Sequence, residues 1–182
     1  EDGVPHRWVN SVKKCVADIA SNFTTNRMLI DYEERFYNKL AARKKLMLDS
    51  NYLMAREIAA WKRKVSAAWD NVAILDVKRA EIESEAMYVG KKYRFEITLD
   101  LAGLNKEDIG AELVVATQIE AGQAANVVET RRLDIVAGEE GRVTLALDYA
   151  PEHTGMFDVA LRVFPTNDML EHRMDFALVK WA

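Results

Sequence analysis

The sequence predicts an α+β chain, with helices over residues 1–70 followed by an all-β domain over residues 71–182. Two observations carry this. Apolar residues recur at helical spacing as far as Trp69 and then alternate with polar ones from about Asn71 onward. The second half is also punctuated by Gly, Pro, Asn and Asp clusters at short intervals, as an antiparallel sheet requires. A chain of 182 residues has room for one domain or two small ones, each burying a modest core.

Pro5 suits the start of a first helix, in which Trp8, Val12, Cys15, Val16 and Ile19 fall on one stripe. Ser21 and Asn22 break it. Thr24 and Thr25 offer hydroxyls to the free N–H groups of a new first turn, and Phe23 can pack back across it. The second helix carries the stripe Leu29, Tyr32, Phe36 and Leu40 and runs toward Leu48. Asp49-Ser50-Asn51 places three capping residues in succession, so a third helix starts there. Its stripe of Met54, Ile58, Trp61, Val65 and Ala68 is expected to face the helix before it, and the short connection predicts a long antiparallel hairpin.

From Ile74 to Val89 the chain reads as extended. Gly90 marks a turn, after which Tyr93, Phe95, Ile97 and Leu99 alternate with Arg94, Glu96 and Thr98 as a half-buried strand. Further strands are expected over 109–115, 127–136, 143–149, 157–163 and 174–181, with a mobile loop from Ala116 to Asn126. Six or seven short strands without a helical period among them predict an immunoglobulin-like sandwich, with an antiparallel barrel as the competitor.

A net charge of −4, with the acidic excess in the second half, argues against nucleic acid as a partner. The basic triplets Arg43-Lys44-Lys45 and Lys62-Arg63-Lys64 read as solvated helix faces. No apolar run approaches the roughly 20 residues that cross a bilayer, so no membrane partner is expected. Cys15, the one cysteine, cannot form an internal disulfide; on its helical stripe it reads as a buried small hydrophobe, in a reducing, cytoplasmic setting. The start at Glu1-Asp2-Gly3 reads as that of an excised piece.

Chemistry-bearing motifs are scarce. His6, His153 and His172 lie far apart in sequence and lack zinc-ligand spacing, so no metal is expected. No P-loop, G-x-G-x-x-G or G-x-S-x-G is present. Exposed aromatics could stack on sugar rings, but Tyr93, Phe95, Tyr149, Phe157 and Trp181 alternate with aliphatics, as core aromatics do. Trp8, Trp61 and Trp69 read as helix-packing anchors.

One constellation remains. Trp8 opens a helix, and Phe23-Thr24-Thr25-Asn26-Arg27 leads to Tyr32. Ala55-Arg56-Glu57 then leads to Trp61-Lys62 and Trp69, and the chain closes on Leu178-Val179-Lys180-Trp181-Ala182. This order resembles the end of the catalytic body of α-glucan (glycogen, starch and maltodextrin) phosphorylases, in the long bacterial and archaeal branch that runs on into extra helices and a terminal β-domain. Asn26 departs from the family pattern, where an acidic residue is frequent, and the Ala116–Asn126 loop is longer than the family leads one to expect.

The resemblance implies a parent enzyme that cleaves α-1,4-glucan with phosphate to give glucose 1-phosphate, using pyridoxal phosphate held on a lysine upstream of these residues. No catalytic, cofactor or metal residue is carried over onto this chain. Its expected role is domain packing or assembly, with the upstream catalytic domains as partners and self-association in a homo-oligomer. Some bacterial relatives also carry a glycogen-synthase-like module. The competing readings are a carbohydrate-binding module for α-glucan polymer, which affinity electrophoresis would reveal, and a helical and sandwich interaction adaptor.

Overall fold

A computed structural model describes residues 3–20, 22–79, 87–117 and 126–182. Residues 80–86 and 118–125 lie outside the described residues, and with them most of the expected Ala116–Asn126 loop and part of the extended chain before Val89. Two compact units divide the chain, residues 1–56 and 57–182.

In the first unit, α1 (His6–Cys15) follows Pro5 and passes into a π-helical turn, Val16–Ala20. α2 (Thr25–Tyr32) starts as expected: the Thr24 hydroxyl accepts the Arg27 amide N–H at 3.2 Å. A second π-helical turn, Glu33–Tyr37, leads into α3 (Asn38–Trp69). The capping triplet interrupts α3, with Asp49 extended at ψ 155° and Ser50, Asn51 and Tyr52 left-handed at φ 48°, 56° and 62°. The Asp49 carboxylate accepts the Ser50 amide at 2.8 Å, so the side chain competes with the helix for a backbone donor.

Cys15 is a correction. Its thiol is exposed, and so are Val12, Val16 and Ile19 on the same stripe. Amphipathic spacing shows which face of a helix seeks cover, but it does not show that cover lies within this chain.

The second unit joins the last turns of α3 to eight antiparallel strands among the described residues: β1 (Ala73–Lys78), β2 (Tyr93–Asp100), β3 (Ile109–Thr117), β4 (Val127–Arg132), β5 (Asp134–Glu139), β6 (Arg142–Tyr149), β7 (Phe157–Pro165) and β8 (Lys180–Trp181). They form two four-stranded sheets, ordered β1-β2-β6-β5 and β4-β3-β7-β8. Alternation puts Tyr93, Phe95, Ile97 and Leu99 of β2 and Ile109, Ala111, Leu113 and Val115 of β3 into one core, with Val143 and Leu145 of β6 and Leu161 and Val163 of β7.

Three sequence expectations change here. The stretch 127–136 is two strands in different sheets, because the chain crosses at Leu133. That side chain is buried, and its amide donates to the Ala111 carbonyl at 2.9 Å. The stretch 174–181 begins in a 3-10 turn, Arg173–Phe176, capped through the His172 Nδ1 and the Asp175 carboxylate, and only Lys180 and Trp181 pair with β7. The stripe of the third helix lies against the sandwich, for Trp61, Val65 and Trp69 belong to its core.

Candidate functional site: a docked helix and an uncovered apolar stripe

Within the second unit, the end of α3 is held to the sandwich by matched polar and aromatic contacts. The Trp61 indole N–H donates to Asp108 Oδ1 at 2.8 Å, and Lys64 Nζ meets Asp108 Oδ2 at 3.0 Å. The same Oδ2 accepts the Asn105 amide at 3.0 Å, closing a capping box on the turn Lys106–Asp108. Burial by itself pushes the Asp108 carboxyl up, but the Asn105, Trp61 and Lys64 donors outweigh it and hold the group below the usual carboxylate range.

The 3-10 turn Arg173–Phe176 clamps the same helix from the other end of the sequence. The Phe176 ring meets Trp61 edge to face at 5.4 Å, Lys62 Nζ donates to the Asp175 carbonyl at 2.6 Å, and the ammonium lies over the Phe176 ring. Lys180 Nζ caps the helix exit through the Asp70 and Val72 carbonyls, at 3.2 and 2.6 Å, and lies over the Trp69 ring. Nearby on β3, the buried Glu112 carboxylate receives both the Arg162 and the Arg173 guanidinium groups. Arg162 in turn lies under the Trp181 indole.

Of the residues singled out from the sequence, Trp61 and Trp69 are buried here, while Trp181 is 54 % exposed. Tyr93, Phe95 and Tyr149 are core aromatics, as expected, and Phe157 packs at the core's edge. Trp8, Phe23, Thr24, Thr25, Arg27 and Tyr32 all lie in the first unit. Arg27 pairs with Asp31 at 3.1 Å and lies over the Phe23 ring, and Tyr32 packs against Phe36 and Tyr37. No described residue of 3–56 is buried, and Trp8 (66 %) and Phe23 (75 %) are among the most open large apolar side chains.

Sequence reasoning missed the part that Asp108, Glu112, Phe176 and Lys180 play in this joint. Asn105 and Asp108 fall within the Asn and Asp clusters that punctuate the second half, but the indole from which Asp108 accepts lies 47 residues away, and nothing local points to it.

A cleft of about 460 Å³ opens at one end of the sandwich, with Phe95, Val115 and Tyr149 toward the core and Arg79, Glu129 and His153 among its polar groups. Pyridoxal phosphate is held through a lysine imine. No described residue lining the cleft is a lysine, so these residues do not fit that group. Among the described residues, no cluster of three or more His, Cys, Asp or Glu could hold a metal ion. No described helix is long and apolar enough to cross a membrane.

Residues 69–182 match the family model described as glycogen phosphorylase C-terminal domain. The chain is similar to a maltodextrin phosphorylase of Thermococcus litoralis, 30% identical over 183 residues, which covers 96% of this chain and 20% of that protein. It is also similar to a glycogen phosphorylase of Mycobacterium tuberculosis, 26% identical over 183 residues, covering 100% of this chain and 21% of that protein. A 40-residue stretch is 42% identical to a glycogen phosphorylase of Aquifex aeolicus, covering 22% of this chain and 6% of that protein. No solved structure matches the chain significantly. The chain spans about a fifth of the length of the first two relatives. Because the matched span begins at Trp69, where α3 ends against the core, and takes in every strand to Ala182, the chain belongs to the glycogen phosphorylase C-terminal domain family.

Proposed function

We propose that the chain serves domain packing and assembly as the non-catalytic C-terminal part of an α-glucan phosphorylase. Its parent releases glucose 1-phosphate from α-1,4-glucan with pyridoxal phosphate bound in upstream domains, in the cytoplasm. The carrying observation is the first unit: helices whose stripes hold Trp8, Ile19, Leu29, Phe36 and Leu40, with Phe23 open in the turn before α2 and no buried residue among those described. Apolar area of that extent gains stability only when covered, and relatives about five times longer supply upstream chain to cover it.

The finer architecture belongs to the same reading. Residues 1–70 are the end of the catalytic body plus a helical hairpin, three helices in all, and 71–182 form the β-domain. The left-handed break at Ser50–Tyr52 supports separate hairpin arms, and the start of the family match at 69 supports the domain boundary. The sheet orders β1-β2-β6-β5 and β4-β3-β7-β8 support an immunoglobulin-type sandwich, since they follow the order of an ABED sheet facing one built on C, F and G. A second reading, glucan binding by the sandwich, is favoured by the cleft near Tyr149.

Amide exchange tests the packing role. In the parent enzyme, residues 6–48 are expected to exchange slowly and in the isolated chain fast, with β2, β3 and β6 protected in both. Equal rates for residues 6–48 in the two proteins would overturn the reading. A glucose 1-phosphate assay on the isolated chain with maltodextrin and phosphate is expected to show no turnover.

A further inference from the structure

We infer that the outer face of the sheet β4-β3-β7-β8 is a contact surface for a second copy of this chain, whose acidic β5–β6 turn brings carboxylates to three arginines that share a single one. This rests on the assembly role proposed above and names a surface for it.

Alternation turns Ile109, Ala111, Leu113 and Val115 of β3 into the core, so Glu112 between them faces outward. Register sets Arg132 of β4 and Arg162 of β7 directly opposite Glu112, and Trp181 of β8 opposite Arg162. Arg132, Glu112, Arg162 and Trp181 therefore form one row across all four strands, about 14 Å wide at the usual strand spacing. Arg173 adds a third guanidinium from the 3-10 turn. Its charge and that of Arg162 both fall on Glu112, with the Phe164 and Trp181 rings beside them. Arg132 holds only the Thr166 hydroxyl, at 3.3 Å. Gly110 brings it close to the others, since a Cβ at that position would come within 3.1 Å of the Phe164 ring and 3.5 Å of the Arg132 guanidinium.

Three guanidiniums thus converge around one carboxylate, and an added anion relieves their mutual repulsion. Glu112 and the rings hold two of them in place, so little side-chain freedom is lost when a partner arrives. Arg and Trp are also the side chains that carry most of the energy at protein interfaces, and a flat row of this width suits a protein surface rather than a small ion. The chain itself offers the complement. At the end of the sandwich where β4 stops, β5 ends in Glu139 and turns through Glu140 and Gly141 into β6, with both carboxylates exposed. Among the described residues no ion pair engages Glu139, Glu140 or Arg132. Because the acidic turn and the basic row lie toward the same end, a two-fold axis there sets each turn against the other copy's row, the self-complementary contact that closed dimers use.

The test is sedimentation velocity of the full 182-residue chain at about 50 mM and about 500 mM salt. The expected result is a dimer whose dissociation constant rises about tenfold in the higher salt, and about tenfold in Arg132→Glu or in Glu140→Arg. Both reversals in one chain restore the wild-type association, since the charges are then exchanged between the two sides of the contact. Lys92→Glu, the same change of charge at the opposite end of the sandwich, just before β2, leaves the dimer unchanged. Arg132 and Glu140 are exposed, and Arg132 gives up only the Thr166 contact, so these variants leave the core intact. A monomer under both conditions overturns the proposal, as does association that neither reversal weakens or a doubly reversed chain that stays dissociated. Association that strengthens with salt also overturns it, since burial of the exposed apolar stripes of residues 6–48 behaves in that way. Exchange protection of residues 6–48 in the parent is independent of these outcomes, so the packing role stands or falls separately.

Discussion

Trp61 and Asp108, 47 residues apart in sequence, share a buried hydrogen bond of 2.8 Å from indole nitrogen to carboxylate oxygen. It joins the last turns of α3 to the start of β3, and its geometry leaves both partners satisfied away from water. Trp61→Phe keeps most of the ring volume but strands one carboxylate oxygen. The expected cost is about 1–3 kcal/mol, read as a lower denaturant midpoint with an unchanged slope. Phe176→Leu should weaken the same joint by less, since it removes an edge-to-face contact and leaves no polar group unpaired.

Asp108 also makes the joint sensitive to acid. Its folded carboxyl is depressed, so its contribution is fully present above the unfolded value of about 3.9 and is lost as pH falls through the lower folded value. Denaturation series at neutral pH and near pH 3 should show the wild-type advantage over Asp108→Asn shrinking with acid. An advantage that stays constant would mean that the carboxylate charge contributes nothing to the joint.

Tyr149 titrates in the opposite sense. Burial, then the bond to Glu129 and its charge, push the phenol up to about 12. The neutral form is the one the fold prefers. The associated stability is therefore present below the unfolded value of about 10 and is lost as pH rises toward 12. Ultraviolet titration should show one tyrosine ionising later than the rest, and Glu129→Gln should bring it closer to them by removing the charge.

Three consecutive left-handed residues without a glycine are costly, and Tyr52, at φ 62°, has no short side chain to offset the strain. Tyr52→Gly is expected to raise the melting temperature of the helical signal, a gain of about 0.5–1 kcal/mol. A fall of similar size would show that this segment is right-handed helix in solution.

Much of the fold is legible in one dimension because its causes are local. Thr24 caps the second helix because a hydroxyl beside a free first turn has few other partners, and the Asp49-Ser50-Asn51 triplet breaks α3 for the same reason. Alternation in 93–99 and 143–149 marks which side chains go inward, and β2 and β6 pair in full register over those residues. The helical half and the β half could be read in this way.

What only the tertiary structure decided concerns partners distant in sequence. A run such as 127–136 looks like one strand, since alternation carries no mark of which sheet a residue joins; Leu133 settles it by binding Ala111 and turning the chain across the core. The stripe of the third helix could not say whether another helix or a sheet would cover it, and the sandwich covers Trp61, Val65 and Trp69. The stripe of the first helix posed the same question and is left open to solvent, so Cys15 is exposed. Periodicity encodes the direction in which a side chain points, while burial depends on what arrives there, and that is a property of the whole chain and of whatever packs on it.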